Sequence, residues 1–240
     1  MNDVIEKIAY VGCHPKNCGG TRKKEDIRFL VYHYTGNDGD RAMNNAIYYR
    51  DNVVQASAHY FVDDDSITQS VGDLTVAYAV GGNKYASCAK TGGGKLYGIC
   101  TNANSISIEM CDTERNGVYD VTETTKQNAL ALGRLLMERY NIPIERVVRH
   151  FDVTGKLCPH YLTDKKAWAA FKAQLVEEET EDNMPRFNSI EEIEKAAGWA
   201  APTIKKLIAM NALRGDGRGL DLSYDMLRIL VINDRMGIYG

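Results

Sequence analysis

Apolar residues dominate the chain from Ile27 to Thr35, and β-branched and aromatic members in one short run suit a buried central strand. Ser57 to Val62 and Ser66 to Val71 read as a hairpin turned by Asp63-Asp64-Asp65. Polar and apolar residues alternate through Ser105-Ile106-Ser107-Ile108-Glu109-Met110, so one face of that strand is buried and Ser107 and Glu109 lie on the other. The period then changes. Residues 44–52 predict a short helix, and Thr124 to Tyr140 predicts a longer one with Ala129, Leu132, Leu136 and Tyr140 in a stripe. Asp120 and Glu123 have capping-box spacing, and Pro143 stops that helix. Ile144 to Arg149 predicts a strand delivering His150, and Asp164 to Val176 a closing helix. Strands alternating with helices predict an α/β fold, a mixed central β-sheet covered by helices, over residues 1–176.

The pattern breaks at Glu177-Glu178-Glu179-Thr180-Glu181-Asp182, an acidic run before Met184-Pro185 that reads as a solvated linker over 177–187. Residues 188–240 then predict a small all-α module. Ser189 with Glu192 is a capping box, Pro202 sits where a first helical turn tolerates it, and Ile204, Leu207, Ile208 and Leu213 form a stripe. After the glycine-rich Gly215 to Gly219, a second helix is expected from Ser223 to about Met236. A module of roughly 50 residues is marginal alone, so it is expected to dock on the main domain or on another copy of the chain.

A formal net charge of -3 with basic residues scattered along the chain provides no footprint for nucleic acid and no polybasic segment for a membrane surface. No apolar stretch approaches the roughly 20 residues of a membrane span, so no membrane insertion is expected. Met1 to Lys7 lacks a charged region followed by an apolar one, which predicts synthesis in the cytoplasm without a signal peptide. Six cysteines are too few for a disulfide scaffold, although Cys13 with Cys18 and Cys88 with Cys100 are candidates to pair after release. Thr91 to Gly98 is glycine-rich but lacks the Lys-Ser/Thr ending of a phosphate cradle, so it reads as a wall of a substrate groove.

Candidate chemistry sits at two places. His33 is the polar break at the end of the first apolar run, and Arg149-His150 is followed by Lys156-Leu157-Cys158-Pro159. His33, His150 and Cys158 supply two imidazoles and a thiolate, leaving a fourth tetrahedral position for water as a catalytic zinc site requires. His14, His59 and His160 have no partner pattern and read as structural or surface residues.

In order and spacing, His33-Tyr34-Thr35, Ser57 to Val62, Asn104 to Glu109 and Arg149-His150 through Cys158-Pro159 resemble the zinc N-acetylmuramoyl-L-alanine amidases of the type 2 class. That class includes phage endolysins, bacterial autolysins and the peptidoglycan recognition proteins. The resemblance covers about residues 5 to 175. It implies zinc ligands at His33, His150 and Cys158, a transition-state lysine at Lys156, and at Glu109 the acid that handles the proton of the attacking water. Some members place a tyrosine before the histidine of the second strand, where this chain has Ala58, and many carry a groove-wall histidine that Tyr78-Ala79-Val80-Gly81 lacks. Endolysin-like cleavage of peptidoglycan between N-acetylmuramic acid and L-alanine, at the cell wall after release, is the function the resemblance implies. The alternatives are a peptidoglycan-binding protein without catalysis and a hydrolase using Cys158 as nucleophile and His150 as base. Asn44, Tyr85, Asn102 and Asn104 are polar groups near the motif strands and are expected in the groove. Residues 188–240 are expected to serve wall targeting, homo-oligomer formation or simple packing.

Overall fold

The computed structural model describes residues 8–176, 186–215 and 217–239. The chain divides into two compact units, Met1–Val176 and Glu177–Gly240. The opening residues 1–7 and the acidic run read as a linker lie outside the described residues.

In the first unit the chain forms β1 (Ala9–Tyr10), β2 (Cys18–Thr21), β3 (Phe29–Tyr34), α1 (Ala42–Asp51), β4 (Tyr60–Val62), β5 (Ile67–Gln69), β6 (Thr75–Ala77) and α2 (Cys88–Thr91). There follow β7 (Ser105–Met110), β8 (Thr113–Arg115), β9 (Val118–Asp120), α3 (Glu123–Tyr140), β10 (Val147–Arg149), α4 (His150–Thr154) and α5 (Lys165–Val176). Six strands make the main sheet in the order β1-β5-β4-β7-β3-β10. β4, β7, β3 and β10 run parallel, whereas β5 is antiparallel to β4 through the expected Asp63–Asp65 turn. This is the mixed sheet with helices that the periodicities predict.

Strand alternation sorts the two faces. Leu30 and Tyr32 of β3, Ile106, Ile108 and Met110 of β7, and Tyr60 and Val62 of β4 pack with Ala129, Leu132 and Leu136 of α3 and Phe171 of α5. The intervening Phe29, Val31, Ser107 and Glu109 face the other way, and with them His33. Tyr32 sets how closely α3 lies on the sheet: its hydroxyl donates to the Ala129 carbonyl at 3.0 Å, and a Cβ on Gly133 would lie 2.0 Å from the Tyr32 hydroxyl oxygen. A glycine is needed there for close approach.

Two boundaries differ from the periodicity. The cap of α3 is Thr122, whose side chain accepts from the Thr125 amide, because Asp120 belongs to the β8–β9 hairpin. That hairpin turns at Asn116 and Gly117, both at positive φ, and Asn-Gly is the residue pair such turns prefer. Ile144–Arg146 is a 3₁₀ turn rather than strand, so β10 starts only at Val147, while its end at Arg149, with His150 next, is where the sequence placed it.

The second unit carries β11 (Arg186–Phe187), α6 (Ile190–Ala197), α7 (Ala201–Ala209), β12 (Leu222–Ser223) and α8 (Tyr224–Arg235). β11 and β12 pair antiparallel, an addition to the helices expected. Ser189 caps α6 by accepting from the Glu192 amide, and Phe187, Ile193, Ile204, Leu222, Leu227 and Val231 form its core. No helix among the described residues is long and apolar enough to cross a membrane.

Candidate active site

Register brings the first pair together. β3 and β7 are parallel neighbours with His33 opposite Glu109, so both side chains leave the sheet on the face away from α3 and α5. β10 lies on the other side of β3 with Arg149 opposite Tyr32, and His150 follows at once; the His33 and His150 rings meet edge to face, centroids 4.8 Å apart. Arg149 locks this corner. Its guanidinium binds the Asp152 carboxylate at 3.0 and 2.7 Å and donates to the Leu162 and Thr163 carbonyls at 2.6 and 3.1 Å. Beyond α4, Gly155 turns the chain at φ 88°, where a Cβ would lie 2.2 Å from Cys88 Sγ. Cys158 folds back onto α4, its carbonyl accepting from the Phe151 amide at 2.9 Å.

One ligand atom each from His33, His150 and Cys158 lies within 4.8 Å of the other two. His33 Nδ1 is 3.8 Å from Cys158 Sγ and 3.7 Å from Glu109 Oε1. Tetrahedral zinc with bonds of roughly 2.0–2.3 Å holds its donors about 3.3–3.8 Å apart, so the spacing suits a single ion after small adjustments. All three side chains are buried. His33 Nε2, His150 Nδ1 and Glu109 Oε2 are buried without a hydrogen-bond partner, a costly condition for polar atoms unless another group engages the cluster.

The electrostatics agree with a cation site. Burial, with His150 and Lys156 nearby, holds His33 well below the ordinary imidazole range, and burial with Lys156 lowers His150 to about 4. Both imidazoles are therefore neutral, the form that ligates. Burial, reinforced by Glu109, pushes the Cys158 thiol above its ordinary value. Such a thiol is inert until a metal displaces its proton. Two nitrogens and one sulfur fit zinc better than calcium or magnesium, which take oxygen ligands.

His150 also lines an open cavity of about 510 Å³ with Gly82, Lys84, Tyr85, Thr154 and Lys156, so the donor cluster meets an open space through His150. Tyr85, half exposed, is one of the residues that line this cavity. Asn102 Oδ1 accepts from the Ala79 and Val80 amides, while Asn104 accepts from the Thr101 amide and donates to the Ile99 carbonyl. They shape the loop behind the wall. Asn44 is exposed on α1 and is not among the residues lining this cavity.

The glycine-rich stretch expected to form a wall instead braces α4, with Gly94 and Leu96 amides donating to the Phe151 and Asp152 carbonyls. Residues 81–85 take the wall position. His59 is buried and bonded to Ser107, Arg22 and the Thr75 carbonyl, a structural role as expected. All six cysteines are free thiols, so neither candidate pair is joined. Asp112 was not signalled by the sequence. It accepts from Thr35 Oγ1 and the Gly36 amide at 2.7 and 2.9 Å and fixes the chain just beyond His33.

At the C-terminal ends of the parallel strands β3, β7 and β10, a buried His-His-Cys set that could hold a metal ion lies beside a glutamate, with a lysine at the cavity rim. Residues 23–161 match the family model described as N-acetylmuramoyl-L-alanine amidase, and the chain belongs to that family. It is 32% identical over 161 residues to N-acetylmuramoyl-L-alanine amidase CwlL of Bacillus licheniformis, a match covering 64% of this chain and 42% of that relative. The chain thus spans less than half of the length of that curated relative. Among solved structures it is similar to PlyL (28% identity, TM-score 0.56, 70% of this chain and 96% of that one). It is also similar to a mutant endolysin from Bacillus subtilis (28% identity, TM-score 0.54, 70% and 98%).

Proposed function

We propose that residues 1–176 form a zinc-dependent amidase that hydrolyses the bond between N-acetylmuramic acid and L-alanine in peptidoglycan, lysing cell walls as an endolysin does. The observation that carries this reading is the convergence of His33, His150 and Cys158 to within 4.8 Å beside Glu109, with His150 and Lys156 lining an open cavity. Family membership and the endolysin named among the structural neighbours support it. His33, His150 and Cys158 would hold the zinc, which when bound lowers the pKa of water to about 7 and polarises an amide carbonyl.

The chain's own groups supply the rest. Burial lifts the Glu109 carboxyl to about 8 against the opposing pull of Lys156, so it exchanges protons near neutrality. Glu109 takes the proton of the attacking water and delivers it to the leaving nitrogen. Lys156 is exposed at the cavity and its ammonium meets the negative charge that grows on the carbonyl oxygen, an interaction stronger in the transition state than in the ground state. A reading with Cys158 as nucleophile requires an accessible thiolate, and Cys158 is 1% exposed with its thiol pushed up by burial.

The test is mass spectrometry of purified walls digested by the full chain and by Glu109→Gln. New lactyl-terminated glycan and peptides with a free L-alanine amine are expected from the first and at most traces from the second. Retention of intact wall fragments without new amines would replace the enzyme with a binding protein.

A further inference from the structure

The second unit buries Leu227 and Val231 of α8 against its core, yet the opposite side of that helix and the turn after it is also apolar. Met226, Ile229, Ile232, Met236 and Ile238 are between 44% and 71% exposed. Their spacing of three or four residues from Met226 to Met236 draws one stripe along the helix. A short helix apolar on two faces signals that its outer face is covered by something.

The composition of the stripe selects the occupant. It carries isoleucine and methionine and no aromatic ring, so it lacks the flat faces on which sugars stack. Its charged neighbours are of both signs, Asp225 with Arg228 and Arg235, which disfavours an anionic lipid surface. Within one chain Asp225 pairs with Arg228 at 3.0 Å, and a second copy can bring Arg235 to the same carboxylate. Asp225 lies at the start of α8 and Arg235 at its end, both exposed. Two copies of α8 crossing antiparallel about Leu230 place Asp225 of each opposite Arg235 of its partner and oppose the helix dipoles favourably. Parallel pairing would instead stack Asp225 on Asp225 and Arg235 on Arg235.

We infer that the exposed face of α8 is a homodimer interface, closed by a second copy of this chain in an antiparallel, two-fold arrangement. The same patch meets itself, as a two-fold contact requires. One helix face is small beside the roughly 1,200–2,000 Å² of a standard interface, so the dimer is of the kind that forms at micromolar concentration.

Sedimentation equilibrium of the full chain from about 1 to about 200 µM, a range set by that weak-interface argument, tests this. Wild type is expected to move from 26.8 kDa toward twice that mass, and Ile229→Glu to stay at the monomer mass throughout. Asp225→Arg, which faces Arg235 of the partner only in the antiparallel arrangement, is expected to weaken the dimer at least tenfold. Adding Arg235→Asp to it should restore dimerisation. A wild type that is monomeric at every concentration overturns the proposal. So does a dimer indifferent to Ile229→Glu, or one that Asp225→Arg leaves unchanged. If wild type is monomeric and Ile229→Glu abolishes sedimentation with purified walls, the face belongs to the wall and the proposal fails.

Discussion

Gly133→Ala tests how α3 is seated on the strand that ends in His33. An added Cβ would lie 2.0 Å from Tyr32 Oη and 2.9 Å from Leu175 Cδ2, against an ordinary contact of at least 3.4 Å. Tyr32 has nowhere to go. It is fully buried, its ring meets Phe171 and Trp168 edge-on with centroids at 4.9 and 6.3 Å, and its hydroxyl is bonded to Ala129. Overpacking of this kind costs about 1–3 kcal/mol and the disturbed hydrogen bond about 1 more, offset by about 1 kcal/mol of helix propensity gained by alanine. A net loss of about 2 kcal/mol is expected. Tyr32→Phe removes the oxygen and leaves Leu175 Cδ2 at 2.9 Å and the ring carbon at 3.3 Å, a milder crowding that alanine's helix propensity largely offsets, so in that background the same substitution should cost less than about 1 kcal/mol. The assay is urea unfolding followed by Trp168 fluorescence with Trp199→Phe, since the chain has two tryptophans. An equal cost of Gly133→Ala in both backgrounds would refute the clash with the hydroxyl.

Lys156→Met should lower kcat roughly 100-fold with zinc content unchanged, the effect of losing one donor to the developing oxyanion; a fall of less than threefold on a soluble muramyl peptide would remove Lys156 from the chemistry. Burial and Arg22 lower His59 to about 3 in the folded chain against an ordinary 6.5, so its stabilising contribution is present above pH 6.5 and is lost as pH falls toward 3. Between pH 7 and pH 4 this amounts to roughly 3 kcal/mol, and urea titrations of His59→Gln should show a pH slope flatter by that amount. Arg149→Lys keeps the charge but loses the fork that grips Asp152 and two carbonyls. It should cost about 2 kcal/mol, read as a fall of roughly 4–8 °C in Tm.

The local sequence announces those parts of the fold whose environment repeats with strand or helix period. β3 is visible as a continuous apolar run, and β7, the β4–β5 hairpin, α3 and α5 because one face of each is apolar. The elements it hid are short or governed by contacts distant in sequence. β8 and β9 have no apolar stripe, and their only signal is Asn116-Gly117. The 3₁₀ turn at Ile144–Arg146 is indistinguishable from strand by hydrophobicity. For the site, residue chemistry and spacing suggested His33, His150 and Cys158, and the β3–β7 register explains why Glu109 stands beside them. Nothing local reveals that the side-chain oxygens of Asn102 and Asn104 accept from backbone amides, or that residues 81–85 rather than 91–98 face the cavity. Those facts follow from how the loop between β6 and β7 folds over α4.

The central claim is that three side chains distant in sequence grip one metal ion. Elemental analysis of the full chain after dialysis against limiting zinc tests it most directly, with His150→Ala and Cys158→Ala carried through the same preparation. The account predicts about one zinc per chain in the parent protein and a near-complete loss in both variants, each still folded by circular dichroism. Zinc retained equally by the variants, or absent from the parent, would contradict it.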